Sequence, residues 1–287
     1  MDRRVDPLTG ATTIVTGGRQ GRPNLPSVGC PFCVGGLEAP EPYEVRWFVN
    51  RWPAIPDGRS EVLLYSPDHD ASLASSGVSG ARRVVDLWAD RTEALGARDD
   101  VAYVLPFENR GPEVGATITH PHGQLYAFPF VPEAARRELD GGGGARCLLC
   151  SSEPADELVV ARAGGWWAAV PTAASWPYEL LLAPSLHVAD LPDAGAADRD
   201  GLASLLVAAL RRLDRLFDAP MPHMLWVHQR PTDGRAWPAA HVHVHVAPLL
   251  RAPGTPRFVA AGELGSGVFF NPVVPEAAAA ALRAAAP

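Results

Sequence analysis

Hydrophobic positions recur along this chain with two different periods. Val84, Trp88 and Leu95 fall on one helical face, and Leu202, Leu206, Ala209, Leu213 and Leu216 do so more regularly. A stripe of that kind packs a core; it does not do chemistry. Other stretches alternate or run apolar: DVAYVLPF from Asp100, TITHPHGQLYAF from Thr117 and HVHVHVAPLL from His241 read as strands. The Gly-rich run DGGGGAR, Asp140 to Arg146, is a linker near the midpoint, and the same order of parts stands on each side of it. VRWFVNRWPA precedes one Leu-rich strand ending in Pro, GGWWAAVPTA precedes the other, and a helix candidate follows each. The pattern predicts an α+β fold of two tandem halves, residues 1–140 and 141–287, with antiparallel sheets flanked by helices.

Composition narrows the function classes. The chain has 287 residues and 47% hydrophobic content, enough for a sizeable core. No run approaches the roughly 18 to 20 apolar residues that span a bilayer, and MDRRVDPLTG has no apolar segment behind it to act as a signal peptide. A cytoplasmic protein is expected. The formal charge of −7 argues against a nucleic-acid partner. All 25 Lys+Arg residues are Arg, which excludes a Walker-type phosphate loop and Schiff-base chemistry. Any phosphate bound must be held by Arg, backbone amides or metal.

Four cysteines form two C-x-x-C pairs, Cys30/Cys33 and Cys147/Cys150. Cys33 is followed 36 residues on by His69 and then by His120; Cys150 is followed 37 residues on by His187 and then by His241. Zinc favours four such ligands, and recurrence at matched spacing predicts two Cys2His2 sites, one per half. With His120 tied to metal, His122 stands two residues on, where a strand would point both rings to one face. An imidazole can attack phosphorus and split one difficult transfer into two easier ones. Gly123 would let a phosphate approach the backbone, and Gln124 shares the face of His122 and can donate to a phosphate oxygen.

The run FENRGPEVGATITHPHGQLYAF, Phe107 to Phe128, closely resembles the active-site segment of the galactose-1-phosphate uridylyltransferase family, within the histidine-triad superfamily. The resemblance extends through DPLTG at Asp6, GRQGRP at Gly18, SPDH at Ser66 and RFVAAGE at Arg257. It implies a homodimer of triad-type folds acting on an NDP-sugar and a sugar 1-phosphate. By position it makes His122 the nucleophile that forms a nucleotidyl-histidine, and Gln124 its stabiliser. It places Arg19, Arg22, Asn109 and Thr117 on the nucleotide phosphates and Glu263 on sugar hydroxyls. Cys30, Cys33, His69 and His120 match the family's zinc ligands.

The chain departs from the best-known members in its second half. Those hold a different metal on a Glu and three His, and Glu138, His228, His241 and His243 occupy similar positions here; other members keep the second C-x-x-C and bind zinc on Cys147, Cys150, His187 and His241, the set preferred here. HVHVHVA also fits the superfamily's histidine pattern, which would make His243 a second nucleophile, although HPHGQ and FENRG have no counterparts before it. Arg51 follows Asn50 where the family has an acidic nucleoside contact, and Gly262 and Phe269 replace a Tyr and a Gln near the sugar. The expected reaction is transfer of a nucleoside monophosphate between sugar 1-phosphates, of the UDP-glucose:galactose-1-phosphate type. Phosphate as acceptor would give an NDP-sugar phosphorylase, water a nucleotide hydrolase, and loss of chemistry a non-catalytic binding protein.

Overall fold

In the computed structural model, which describes residues 1–21 and 29–286, the repeat closes into one sheet. An exposed N-terminal hairpin, β1 (Asp2–Val5) and β2 (Thr12–Val15), stands apart from it. The first half contributes β3 (Arg46–Val49), β4 (Ser60–Leu64), β5 (Tyr103–Arg110) and β6 (His122–Phe128); the second contributes β7 (Val159–Ala163), β8 (Trp166–Ala169), β9 (Leu180–Pro184), β10 (His223–His228) and β11 (His243–Pro248). Their order, β3-β4-β6-β5-β10-β11-β9-β8-β7, is antiparallel throughout and symmetric about the β5/β10 seam, with β7 as an added edge. The two expected sheets are therefore continuous. A strand left at the inner edge of either half would expose unpaired N–H and C=O groups, and pairing β5 with β10 satisfies both.

Two long helices, α1 (Gly77–Gly96) and α4 (Ala196–Leu216), pack on each other across one face of the sheet. The predicted stripes are the residues they bury: Val84, Trp88 and Leu95 from α1, and Leu202, Leu206, Ala209 and Leu213 from α4. With Val104, Leu125, Val227 and Val244 from the strands they form a single core that spans both halves. Strand alternation sends the other set of side chains to the opposite face. Along β6, Gly123, Leu125 and Ala127 are buried while His122, Gln124 and Tyr126 are half-exposed.

That open face is covered locally by two small apolar clusters. Phe32 and Ala39 from the first Cys loop pack on Val62 and Leu64; Leu149, from the one-turn helix α3 (Leu148–Ser151), packs on Trp167, Ala169 and Ala183. Helix α2 (Glu133–Asp140) precedes the linker in sequence, yet its Glu138 meets the second half's histidines. The chain ends with the short hairpin β12 (Leu250–Ala252) and β13 (Thr255–Pro256), then α5 (Ala261–Ser266) and α6 (Pro275–Ala284).

Candidate functional site

Both predicted Cys2His2 sets are assembled, each with one ligand atom per residue within 4.8 Å of the others. Cys33 Sγ lies 3.4 Å from His69 Nδ1 and 3.6 Å from His120 Nδ1. In the second half, Cys147 Sγ to His241 Nδ1 is 3.2 Å, and Cys150 Sγ to His187 and His241 Nδ1 is 3.2 and 3.3 Å. A tetrahedral zinc with its usual bond lengths sets S···N edges at roughly 3.6 Å, so both cages fit with small relaxation. The tautomers agree. His120 Nε2 is 2.8 Å from the Ser66 carbonyl oxygen and His241 Nε2 is 3.1 Å from that of Pro184. Carbonyls only accept, so each Nε2 carries the proton and each Nδ1 turns a lone pair to the thiols. Burial, then the neighbouring cysteine, raises the Cys33 thiol, and pushes that of Cys150 up to about 11. Thiols so arranged need a cation before they ionise.

His120 is fully buried and lies before β6, not within it, because Pro121 has no N–H to begin the ladder. The expectation that one strand carries both rings is corrected to that extent. Strand pairing starts at His122, where Leu64 is its partner. The consequence is a bend that lets the His120 carbonyl oxygen accept from His122 Nδ1 at 2.8 Å. An accepting carbonyl fixes the proton on Nδ1, so Nε2 is the basic nitrogen. His122 lines a cleft with Asn109, Gly111, Ala116, Ile118 and Thr119; Thr117 lies within that loop without lining the cleft. Gln124 shares the open face of His122, and its Oε1 accepts from Asn50 Nδ2 at 3.3 Å.

The second half repeats the device. His243 Nδ1 is 2.7 Å from the His241 carbonyl oxygen, so Nε2 is again the nitrogen turned outward. What it faces differs: Glu138 Oε2 lies 3.1 Å away and also 2.6 Å from His228 Nδ1, while Glu138 Oε1 is 3.5 Å from His245 Nε2. Burial would raise the Glu138 carboxyl, but hydrogen bonds from His228, His243 and His245 drive it far below the usual range. The fourth member of this Glu-and-three-His set is thus His245, whereas the sequence alignment assigned His241 to it; His241 points to the thiols instead. A strand fixes the choice, since His243 and His245 share a face and His241 precedes β11. The set borders a largely apolar cavity of about 380 Å³ walled by Ala135, Leu139, Leu148 and Leu181.

Other predicted residues fall elsewhere. Arg19 lines a surface pocket with Arg51, Trp52 and Thr16, and Arg22 lies outside the described residues. Glu263 is buried at the start of α5, where Arg257, the Ala260 N–H and the Phe270 N–H all donate to it. Neither Arg19 nor Glu263 lines the His122 cleft of its own chain. Gly123 has a different reason from the predicted one: a Cβ there would meet Tyr65 Oη at 1.9 Å on the buried face. Sequence reasoning missed Tyr43, whose hydroxyl is 2.9 Å from His120 Nε2, and Thr119, whose Oγ1 is 3.1 Å from His69 Nε2. The SPDH and THPH motifs marked their neighbourhood, but no spacing rule reaches from residue 43.

Comparison with known proteins covers nearly the whole chain. Residues 52–132 fit the model of the galactose-1-phosphate uridyl transferase N-terminal domain, and residues 150–286 fit that of the C-terminal domain. The chain is 35% identical to the galactose-1-phosphate uridylyltransferase of Thermotoga maritima, over 99% of its own length and 98% of the relative's. It is 26% identical to an ADP-glucose phosphorylase of Arabidopsis thaliana, covering 98% and 92%. The solved structure of a uridylyltransferase superposes with a TM-score of 0.90 at 28% identity, covering 99% and 98%. With two Cys2His2 cages, a carbonyl-aimed imidazole and matches along nearly its whole length, the chain belongs to the galactose-1-phosphate uridylyltransferase family.

Proposed function

We propose that this chain moves a nucleoside monophosphate from an NDP-sugar to a second sugar 1-phosphate by double displacement at His122. The observation that carries the reading is the 2.8 Å contact between His122 Nδ1 and the His120 carbonyl oxygen. It leaves Nε2 to attack the α-phosphorus, forming a P–N bond while the bridging P–O bond breaks and sugar 1-phosphate leaves. The carbonyl takes part in stabilising the imidazolium that develops. An oxygen of the incoming sugar 1-phosphate then attacks the same phosphorus and the P–N bond breaks. Gln124 and Asn109 serve the phosphate oxygens, where donors aimed at developing charge contribute most.

Cys30, Cys33, His69 and His120 would hold one zinc and Cys147, Cys150, His187 and His241 another. Each supplies a structural clamp rather than chemistry, because all four positions are protein ligands. The first clamp holds the carbonyl that aims His122. Glu138, His228, His243 and His245 form a further set suited to a divalent ion through one carboxylate and three imidazoles. Arg19 and Glu263, neither of which lines the His122 cleft of its own chain, fit contribution across a homodimer; Phe258, Leu264, Phe269 and Phe270 around Glu263 are exposed apolar residues of the kind an interface covers. Among the described residues no helix is long and apolar enough to cross a membrane, and we place the enzyme in the cytoplasm.

A second reading keeps the covalent step and makes inorganic phosphate the acceptor. The relative named as an ADP-glucose phosphorylase, and Arg51 in place of an acidic residue, favour keeping it in view. Intact-mass measurement after exposure to UDP-glucose and ADP-glucose tests both: a nucleotidyl adduct must form, and its mass names the base. Chasing the adduct with galactose 1-phosphate or phosphate names the acceptor. No adduct with either sugar nucleotide would overturn the reading.

A further inference from the structure

The side-chain amide of Gln124 has two nearly isosteric ends, and only one suits a phosphate. Its NH2 donates to a phosphate oxygen; its oxygen, turned outward, would repel the same atom. The reading of Gln124 given above therefore requires something in the protein to choose between the ends. Asn50 stands at the end of β3, its N–H donating to the Ser60 carbonyl at 2.8 Å. Its Oδ1 accepts from the Trp52 N–H at 2.8 Å, and its Nδ2 donates to Gln124 Oε1 at 3.3 Å.

The direction of this relay follows from one group that cannot be reversed. A backbone N–H only donates, so the atom of Asn50 that meets Trp52 must be the oxygen. The other end of Asn50 is then NH2, which only donates, and the atom of Gln124 that meets it must be the oxygen. That leaves Gln124 Nε2 as the end turned away from Asn50. We propose that Asn50 is a positioning residue: read from the Trp52 N–H, it sets the Gln124 amide so that its NH2 is presented to the α-phosphate being transferred to His122. The proposal rests on the roles given above to His122 and Gln124.

A turn of two residues thus sets the polarity of a catalytic amide two strands over, across β4. The second half has no need of the device, since His245 replaces Gln124 on the equivalent strand. Asn50 is also followed directly by Arg51, which Glu38 holds at 2.9 Å, so the turn is tied down on its solvent side.

The test is a double-mutant cycle read by single-turnover labelling with UDP-glucose or ADP-glucose radioactive at the α-phosphate, whichever forms the adduct. Asn50→Ala should slow labelling about tenfold in the otherwise unchanged protein and leave the already slow Gln124→Ala rate where it is. Asn50→Asp should slow it further, toward the hundredfold loss typical of one misdirected donor, because the new carboxylate accepts from Gln124 Nε2 and turns its oxygen outward. The loss should lie in the rate at saturating sugar nucleotide, with the half-saturating concentration and the metal content little changed. Equal slowing by Asn50→Ala in both backgrounds, a wild-type rate for Asn50→Ala, or a change in half-saturation alone would overturn the proposal. A Gln124→Ala protein that labels at the wild-type rate would overturn the role of Gln124 itself, and a His122→Ala protein that still labels would overturn the reading beneath both.

Discussion

The two halves of the sheet aim an imidazole in the same way and then surround it differently. In each, a histidine clamped among thiols offers its carbonyl oxygen to the ring two residues on, at 2.8 Å for His122 and 2.7 Å for His243. Strand register makes the neighbours equivalent: Phe107 pairs with Gln124 as Trp226 pairs with His245, so Asn109 corresponds to His228 and Glu108 to Val227. The first half thus puts amides beside the outward nitrogen, and the second puts imidazoles and the Glu138 carboxylate there. An anionic phosphate is welcomed by the former and repelled by the latter. Duplication supplied the aiming device twice; the charge placed opposite it decides what the ring can do.

Removing the two rings in turn breaks that comparison most sharply. His122→Ala should abolish covalent labelling by an α-phosphate-labelled sugar nucleotide, whereas His243→Ala should retain it. Labelling lost in His243→Ala but kept in His122→Ala would reverse the assignment of the halves. The intact protein after gel filtration, read by autoradiography and peptide mapping, decides it.

The two clamps should differ in consequence though not in kind. Cys30→Ser and Cys147→Ser should each lower the zinc content by about one ion per chain and each cost several kcal/mol, because a structural zinc contributes folding free energy directly. Only the first should also abolish labelling, since only its histidine carries the carbonyl that aims His122. Elemental analysis beside a labelling assay gives both answers. A Cys147→Ser protein that keeps its full metal content would remove the second clamp.

The two Cys2His2 groups were legible in the sequence because metal ligation restricts both residue type and spacing, and the repeat showed the pattern twice. The two helices were legible from their stripes, which the core buries as Trp88 and Leu206 illustrate. What spacing cannot carry is pairing between distant strands. The β5/β10 seam, the contact of Asn50 with Gln124 across 74 positions and that of Tyr43 with His120 across 77 are non-local. The exchange of His245 for His241 in the Glu138 set came from matching positions by resemblance, which does not show that β11 has not begun at His241. Glu263 was read from resemblance as a sugar contact, and its carboxylate in this chain is taken up by Arg257 and two backbone N–H groups.

Behind the strands the halves differ at one buried carboxyl. Glu108 lies on the helix face where the second half has Val227, its Oε2 without a hydrogen-bond partner among the described residues. Burial raises its carboxyl to about 7, with Arg110 opposing. A folded value above the unfolded one means its contribution to stability is fully present below about pH 4.5 and lost as pH rises through 7. Relative to Glu108→Gln, the wild-type protein should lose up to about 3 kcal/mol between pH 5 and pH 8. Urea titrations of both proteins at the two pH values give the difference; a pH-independent gap would place the Glu108 carboxyl at its ordinary value.

The smallest expected effect concerns one methyl group between the two site residues of each half. In the first half that position is Gly123, backed by Tyr65, whose buried hydroxyl accepts from Trp88 Nε1 at 3.1 Å. In the second it is Val244, fully buried, and the position matching Tyr65 is Pro184. The sheet carries a small residue before a large one on one side of the seam and the reverse on the other. Gly123→Ala should therefore cost about 2 kcal/mol, since a Cβ 1.9 Å from Tyr65 Oη and 2.7 Å from its Cζ must push ring or strand aside. Tyr65→Phe should recover only part of this, because it removes the nearer contact, keeps the farther and leaves the Trp88 N–H without its acceptor. Because His122 and Gln124 flank the displaced residue, labelling by Gly123→Ala should also slow, while metal content stays unchanged. Denaturant titration of the single and double variants tests the packing. A Gly123→Ala protein as stable as the wild type would show that the strand yields freely behind His122, and that the close fit of Tyr65 does not hold the nucleophile in place.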